Sequence, residues 1–290
     1  MNGGTFRPVR VTVPEGSLLA AAYPAAVGAC LEPVGRIIDL VFGALAQAIP
    51  DRVPAAFFST TGVVTMSGTH PRSGSSYVGV FPYPGGYGAT RATDGLVHAK
   101  SPQSMANFRS LELSEHRFPI RYRSFALRED SGGAGWHRGG CGSTDAIEPL
   151  ASTIVSVLGD RADTAPFGVV GGGPAKPSVV EFTTVGRTWR PAMRGKEEKR
   201  VLEAGDSIRV ASPGGGWGDP LVHDLGAVEQ DLDLGYVSET SAREAYGAVI
   251  AERRLVGGRR KYRIDVATSE ARRAERRGGA VRPGRQKEMT

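Results

Sequence analysis

Two glycine-dense segments constrain the fold of this chain more than any other feature. The first glycine segment reads Asp130-Ser-Gly-Gly-Ala-Gly-Trp-His-Arg-Gly-Gly-Cys-Gly142, and the second reads Ser212-Pro-Gly-Gly-Gly-Trp-Gly-Asp-Pro220. Each glycine increases the conformational entropy that is lost on folding, so a run of glycines needs a reason in backbone geometry or in close approach. We therefore predict tight, strained loops at both places.

The composition is that of a globular, loop-rich protein. Its 290 residues include 40 Gly and 19 Pro, and 40% of them are hydrophobic, which is sufficient for a full core. No apolar run reaches eighteen residues, and the first residues lack the charged and apolar regions of a secretory signal. The two cysteines, Cys30 and Cys141, form no disulfide framework. We therefore predict a cytoplasmic protein without a membrane span.

The basic charge is confined to the end of the chain. Residues 251–290 contain thirteen Lys and Arg against five Asp and Glu, a net charge of +8, so the other 250 residues carry −2 of the total of +6. No nucleic-acid-binding motif accompanies these charges. The pattern favours a basic helical or disordered tail over 251–290 and makes nucleic acid an unexpected partner.

Hydrophobic periodicity predicts an α+β fold: a strand-rich body with long Gly/Pro loops, one N-terminal helix and C-terminal helices. The predicted helices cover 33–49, 225–234 and 238–250, the last with Ser238 as its N-cap. Short strands and long loops are expected over 59–105. The other predicted strands cover 7–14, 118–129, 143–150, 152–159, 178–184 and 200–211, with a turn at 204–206. We expect the strands at 143–150 and 152–159 to form a pair.

Several motifs suggest chemistry but lack the context that it requires. Glu129-Asp-Ser-Gly-Gly133 imitates the segment around a trypsin-like serine nucleophile, without the histidine and carboxylate that such a nucleophile needs. Neither glycine segment has the Lys-Ser/Thr ending of a phosphate loop. The five histidines show no metal-ligand spacing, so we expect exposed loop histidines and predict no metal site in this chain. Cys141, near His137 and Arg138, is either a thiol of lowered pKa or a small buried residue.

Read in order, these segments resemble the hydantoinase B/5-oxoprolinase family (N-methylhydantoinase B-type subunit). The first glycine segment is the most specific match. Residues 205–220 and 235–247 resemble the family's C-terminal signature, and residues 2–19, 94–95 and 118–121 match further motifs in the same order. The resemblance covers the C-terminal half of such a subunit only. We expect residues 1–250 to form this half, with a possible sub-boundary near residue 115.

The resemblance implies ATP-dependent hydrolysis of a cyclic amide, hydantoin or 5-oxoproline. It implies that ATP and Mg are held by a hydantoinase A-type partner subunit, that this chain binds no cofactor, and that a divalent metal belongs to the N-terminal B-type half. We therefore expect a partial subunit, either a truncated gene product or half of a split subunit, that is inactive without both partners. Two alternatives stay open: an acetone/acetophenone carboxylase-type subunit, and a non-catalytic assembly module with the same fold.

No catalytic residue follows from the resemblance. The candidates for positioning a substrate or an interface are Arg7, Asp94, Asn107, Asp130 and Arg138. For Asp130 and Arg138, turn capping and bracing of the first glycine segment is an equally good interpretation.

Overall fold

A computed structural model describes residues 7, 10–29, 31–102, 108–212 and 214–279. The chain divides into two compact units, Met1–Cys30 and Leu31–Thr290.

The described residues of the first unit form successive turns. The amide of Ser17 donates to the carbonyl of Pro14, and the amide of Ala20 donates to the carbonyl of Ser17. The strand predicted over 7–14 is wrong for the residues of that segment that are described, 7 and 10–14. An alternating pattern is not sufficient for a strand, because a strand also needs a neighbouring backbone to complete its hydrogen bonds.

The second unit begins with helix α1, Leu31–Leu45, which confirms the helix predicted over 33–49. Pro33 lies in the first turn, where backbone amides have no partner within the helix and none is lost. Turns continue the helix to a short 3₁₀ segment, Pro50–Arg52.

Two antiparallel sheets form the body of the second unit. A short helix, α2 (Leu111–Arg117), precedes the third strand. The strands are β1 (Val63–Thr69), β2 (Ser76–Pro82), β3 (Ile120–Leu127), β4 (Ser143–Pro149), β5 (Thr153–Leu158), β6 (Val179–Thr184), β7 (Arg187–Trp189), β8 (Lys196–Leu202) and β9 (Ser207–Ala211). The first sheet has the order β2-β1-β5-β8, and the second has the order β3-β4-β9-β6-β7.

Side chains from both sheets meet in one hydrophobic core. In β6, for example, Val180 and Phe182 are buried while Glu181 and Thr183 are only partly covered, which is the period of two expected of a half-buried strand. The core also contains Val64, Met66, Phe81, Tyr83, Phe118, Ile120, Ile147, Val155, Val157, Leu202, Ile208 and Val210. Because one core joins them, the two sheets pack face to face as a sandwich.

The predicted pairing of strands 143–150 and 152–159 is wrong, although both strands exist. β4 pairs with β3 and β9 in one sheet, whereas β5 pairs with β1 and β8 in the other. The short connection after Pro149 is a corner at which the chain passes from one sheet to the other. The predicted strand 200–211 is divided in the same way, with β8 and β9 in different sheets.

Beside the sandwich lies a structure that we call the glycine bundle: residues 55–58, 85–89, 94–96, 131–142, 167–173 and 214–218. Its segments are joined by backbone hydrogen bonds and lie largely outside the two sheets. Their amide-to-carbonyl bonds include Phe58 to Gly86 (3.0 Å), Gly140 to Tyr87 (2.8 Å), Gly133 to Gly214 (2.8 Å), Gly215 to Ala56 (2.8 Å) and Val169 to Gly216 (3.1 Å). Both glycine segments of the sequence therefore meet inside one bundle.

Close backbone approach, rather than strained turns, explains the glycines of the bundle. A Cβ atom on Gly140 would overlap the carbonyl oxygen of Leu96, and one on Gly142 would overlap that of Ser212. Within the two glycine segments, Gly218 is the glycine with a left-handed backbone, at φ 76°. The prediction of tight, strained loops is therefore wrong for most of both segments. The same crowding makes glycine obligatory at the axis of the collagen triple helix.

Residues 225–279 form a smaller layer, mostly helical, with its own core. Helix α3 (Leu225–Leu234) begins at Asp224, whose side chain accepts from Ala227 N, and it ends at Gly235 with φ 72°. Helix α4 (Glu239–Glu244) has the predicted N-cap, Ser238. This layer continues with the hairpin β10 (Ile250–Val256) and β11 (Arg259–Ile264) and with helix α5 (Val266–Gly279).

Two predictions for this region need correction. The helix predicted over 238–250 stops at Glu244, because Gly247 adopts a left-handed conformation (φ 66°) and Ile250 begins β10. The tail predicted to be helical or disordered forms a hairpin over 250–264, whose turn residues Gly257 and Gly258 both have positive φ. Two such residues make the type I′ turn that suits the twist of a hairpin.

The described part of α5 is largely exposed, but it is anchored at Ser269 and Arg273. Arg273 is buried, and it donates from Nε to the carbonyl of Tyr246 (2.7 Å) and from Nη1 to the carbonyl of His223 (2.8 Å). The α+β class with a strand-rich body is confirmed. Among the helices of the described residues, none has the length and the apolar character needed to cross a bilayer.

Candidate functional site

Charged side chains from distant parts of the sequence meet where the glycine bundle contacts α3. We call Asp94, His137, Arg138, Asp231 and Tyr236 the polar cluster. His137 and Arg138 belong to the first glycine segment, Asp94 lies in the loop before residue 95, and Asp231 projects from α3. Three residues of the bundle segments, Asp94, His137 and Arg138, therefore belong to this cluster.

Arg138 is the buried centre of the polar cluster. Its Nε donates to Asp231 Oδ2 at 2.6 Å, its Nη2 to Asp231 Oδ1 at 3.3 Å and its Nη1 to the carbonyl of Gly139 at 2.8 Å. The guanidinium also lies 4.8 Å from the ring centre of Tyr236. Burial alone would lower the pKa of Arg138, but the charge and hydrogen bonds of Asp231 outweigh it and raise that pKa. The guanidinium therefore stays charged, and its contacts brace the bundle against α3.

Asp94 and His137 are the part of the cluster that reaches solvent. Asp94 Oδ1 accepts from the amide of Arg138 at 2.9 Å and lies 3.4 Å from Nδ1 of His137. The Asp94 side chain is 38% exposed and that of His137 is 22% exposed. A carboxylate that lies beside an imidazole is a pairing used in general acid–base sites. This pair is therefore the element of the cluster best suited to contact a substrate or another subunit.

Asp130 lies at the other end of the same segment and has a bracing geometry. Its backbone is left-handed at φ 57°, and its amide donates to the carbonyl of Tyr236 at 3.0 Å. Its Oδ1 accepts from the amide of Ser238 at 2.7 Å, and Oδ2 lies 3.8 Å from Lys176 Nζ. Aspartate tolerates this backbone conformation better than most residues. Asp130 thus joins the first glycine segment to the start of α4.

The other two candidate residues are Arg7 and Asn107. Arg7 is an exposed turn residue of the first unit. Asn107 lies outside the described residues. The structure therefore brings Asp94, Asp130 and Arg138 together around residues 231–238.

Cys141 is a buried thiol rather than an activated one. Its Sγ donates to the carbonyl of Tyr236 at 3.5 Å. Burial raises the pKa of Cys141 and outweighs the opposing effect of Arg138, so the thiol stays protonated. The interpretation of Cys141 as a small buried residue is therefore confirmed, and that of a thiol with a lowered pKa is wrong.

His223 differs from the exposed loop histidine that we expect from the sequence. It is buried, and its Nδ1 lies 2.6 Å from the carbonyl oxygen of Trp136. Within the described residues, no group of three or more His, Cys, Asp or Glu side chains is arranged to hold a metal ion.

A second polar feature lies inside the sandwich, at Asp145 of β4. This side chain is buried, and its Oδ1 has no hydrogen-bond partner among the described residues. It lines a cavity of about 30 Å³ together with Tyr122 and several apolar residues. Burial raises the pKa of Asp145 to about 7, and burial together with the charge of Asp145 raises the pKa of Tyr122 to about 12.

Sequence reasoning missed both Asp145 and Asp231. For Asp145 a signal existed, because Ser143, Asp145 and Ile147 occupy the same face of an alternating strand and that face is inward. For Asp231 the available signal was weak, since an acidic residue in a helix usually faces solvent.

Comparisons with known proteins agree with this architecture. The family model for hydantoinase B/oxoprolinase matches residues 1–220. The chain is 33% identical over 265 residues to the caprolactamase subunit beta of Pseudomonas jessenii, covering 86% of this chain and 45% of that protein. The crystal structure of the ATP-dependent caprolactamase from Pseudomonas jessenii superposes with a TM-score of 0.79 and 29% identity, over 94% of this chain and 48% of that chain.

A more distant structure shares the fold. The nucleotide-free structure of acetone carboxylase gives a TM-score of 0.65 at 22% identity, over 81% of this chain and 35% of that one. The chain spans about half the length of the curated relatives that it matches. With three quarters of its residues inside one family model, the chain belongs to the hydantoinase B/oxoprolinase family.

Proposed function

We propose that this chain is part of the B-type subunit of an ATP-dependent hydrolase that opens a cyclic amide, such as a lactam, a hydantoin or 5-oxoproline. The observation that supports the proposal is the agreement with caprolactamase in both sequence and fold, 33% identity to its beta subunit and a TM-score of 0.79. The family model, which includes oxoprolinases and hydantoinase B, supports the same class of substrate.

The chemistry explains why such an enzyme consumes ATP. An unstrained cyclic amide is a poor electrophile, because its nitrogen lone pair is delocalised into the carbonyl group. Transfer of the γ-phosphoryl group to the amide oxygen releases ADP and creates a leaving group. Water then adds to the activated carbon, and the ring C–N bond breaks to leave a free amine and an acyl phosphate. A second water hydrolyses the acyl phosphate to a carboxylate and inorganic phosphate.

We assign ATP and Mg to an A-type partner subunit. Neither glycine segment carries the lysine and hydroxyl side chains of a phosphate loop. In the described structure the amides of these segments bind carbonyl groups within the bundle, as Gly133 binds Gly214 and Gly139 binds Gly133. Amides committed to such bonds are not free to hold phosphate.

We further propose that the chain is inactive by itself and works with an N-terminal B-type half as well as the A-type partner. This proposal is supported by the share of the relatives that the chain spans, 44% and 45% for two of them. A divalent metal then belongs to the N-terminal half. Dependence on ATP also supports a cytoplasmic location.

Within this scheme the Asp94–His137 pair positions a substrate or faces another subunit, and Arg7 and Asn107 stay candidates for the same role. Asp94 combines a solvent-exposed carboxylate with a backbone contact that fixes its orientation. Arg138 and Asp130 position the first glycine segment, since their hydrogen bonds are satisfied inside the chain.

A reconstitution assay tests the proposal. The purified chain is incubated with ATP, Mg and caprolactam, hydantoin or 5-oxoproline, with and without an A-type subunit and an N-terminal B-type half, and phosphate and ring-opened product are measured. We expect turnover in the complete mixture only. Full turnover by the isolated chain would contradict the half-subunit proposal, and failure with every cyclic amide would contradict the reaction class.

The variant Asp94→Asn identifies what the polar cluster contributes. We expect turnover to fall at least tenfold while the complex still assembles, because a positioned carboxylate is lost. Asp163→Asn is the matched control, since Asp163 is an exposed partner of Arg194 and its loss should leave turnover unchanged. Equal turnover of both variants would favour a non-catalytic assembly module.

A second enzymatic candidate is a subunit of the acetone or acetophenone carboxylase type. The shared fold, with a TM-score of 0.65 to acetone carboxylase, is the observation in its favour. Such an enzyme carboxylates a phosphorylated enolate instead of opening a ring. Activity on a ketone that depends strictly on bicarbonate would select this candidate.

A further inference from the structure

Helix α1 is oriented with its polar side toward the body of the protein. Glu32, in its first turn, accepts from Thr60 Oγ1 at 2.6 Å and from the amide of Thr61 at 2.8 Å. One turn later, Arg36 lies 3.1 Å from Asp160. The next turn contributes Asp39.

Asp39 makes the deepest of these contacts. Its carboxylate is buried and paired with the buried guanidinium of Arg161, and Oδ1 also accepts from the amide of Phe57 at 3.4 Å. A buried ion pair is costly to break when only one partner moves away. Rotation of α1 about its axis would separate Asp39 from Arg161, so these contacts hold the helix in its present orientation.

The opposite face of α1 is apolar and exposed. Its side chains recur at the spacing of one helical face. They are Val34 (40% exposed), Ile37 (39%), Leu40 (71%), Val41 (51%) and Leu45 (40%). An isolated exposed leucine is ordinary, but a contiguous stripe on one helix indicates a surface that binds another polypeptide.

We infer that this apolar face of α1 docks the part of a B-type subunit that the chain does not span. The inference rests on the proposed function and adds to it the surface at which the two halves meet. The match with the caprolactamase structure covers 48% of the caprolactamase chain. The part of that chain outside the match is therefore about as long as the shared fold. Because the remaining part belongs to the same caprolactamase chain, each copy of the shared fold has one such part available. One helix face can bind one such part.

Capture of a defined partner tests the inference. The tagged full-length chain is produced together with the part of the Pseudomonas jessenii caprolactamase subunit beta that it does not span, and the captured amount is measured. Leu40→Glu and Val41→Glu should lower capture about tenfold, because each places a charge in an apolar contact. Val185→Glu is the control, since Val185 is 92% exposed on the turn between β6 and β7 and should bind like the original chain.

Thermal melting separates lost docking from lost folding. All three positions are exposed, so the melting temperatures of the isolated variants should equal that of the original chain. A variant that melts lower is replaced by Leu40→Gln or Val41→Thr, which are milder and still reduce the apolar area.

Three results would overturn the inference. They are failure of the original chain to capture the partner, equal capture by the helix variants, and a dimer of the original chain that Leu40→Glu converts to a monomer, which would make a second copy the occupant. The proposed function fails separately. Capture that depends on α1 without turnover of any cyclic amide refutes the reaction, whereas turnover unaffected by Leu40→Glu refutes the docking surface.

Discussion

The glycine bundle and the sandwich core exclude water by opposite means. In the sandwich, strands stay apart and apolar side chains such as Phe182 and Ile208 fill the space between the sheets. In the bundle, backbones approach until hydrogen bonds join neighbouring segments directly, and no room is left for a Cβ atom at Gly140 or Gly142. A side-chain core can adjust when a side chain changes, but a backbone core has no flexible part to adjust.

The two regions also differ in where their polar side chains lie. The apolar side chains of the bundle segments, such as Phe58 and Trp217, are buried, whereas His137 and Arg138 lie at the boundary with α3. The sandwich, by contrast, encloses Asp145 in a small cavity. Substitutions in the two regions should therefore differ in size and in kind.

The largest expected effect comes from adding one methyl group to the bundle. A Cβ atom at Gly172 would overlap the carbonyl group of Gly216, so Gly172→Ala must separate two hydrogen-bonded segments. We expect this variant not to fold, as judged by circular dichroism and by loss of the cooperative melting transition.

The adjacent residue supplies the control. A Cβ atom at Gly173 would meet Ala134 at 3.4 Å, an ordinary contact, so Gly173→Ala should keep its stability within about 0.5 kcal/mol. If both alanine variants fold equally well, close approach is not what excludes side chains from the bundle.

A smaller, graded loss is expected in the sandwich. Phe182 is fully buried, and its ring stacks on that of Trp189 with 4.9 Å between the ring centres. Phe182→Ala should fold and lose about 3–5 kcal/mol of unfolding free energy in urea, because a cavity replaces the ring. Val185→Ala, on the exposed turn after β6, should change it by less than about 0.5 kcal/mol. An unfolded Phe182→Ala chain would remove the contrast with the bundle.

The smallest effect, for a change of one pH unit, is the dependence of stability on pH that Asp145 introduces. Burial raises its pKa from 3.8 to about 7, so between these values the folded state binds a proton that the unfolded state has released. Stability should therefore fall as pH rises through this window, by about 1.4 kcal/mol per pH unit from this group. Below pH 3.8 and above pH 7 its contribution should be flat.

Asp145→Asn checks this interpretation, because the amide keeps the shape and cannot ionise. Urea titrations at pH 5 and pH 6 should show a smaller slope for this variant than for the original chain. Asp163→Asn, at an exposed position, should keep the original slope. An unchanged slope in Asp145→Asn would show that Asp145 is already ionised in the folded protein.

Local features of the fold are predictable from the sequence to a useful degree. α1, α3 and the positions of β3, β4, β5 and β6 follow from periodicity, and the Ser238 cap follows from one side chain and its nearest amides. The hairpin over 250–264 was predictable too, because Gly257-Gly258 is a strong turn signal. A basic composition suggested a tail instead.

The candidate site was predictable only in part. The first glycine segment, and with it Arg138, stands out in the sequence, but Arg138 is separated from its partner Asp231 by 93 residues. No local pattern indicates that pairing, or tells whether an arginine beside glycines binds a ligand or braces the fold. The contacts of Asp94 and Asp130 depend on the same long-range packing.

The sequence by itself determined the family, the order of most strands and helices, and the need for glycine at two places. Those properties depend on residue identity and on neighbours within a few positions. The tertiary structure alone decided that the glycines serve close approach, that β4 and β5 lie in different sheets, and that α1 directs its polar side inward. Each of these depends on which distant backbone or charge comes within a few ångströms, and periodicity carries no information about that distance.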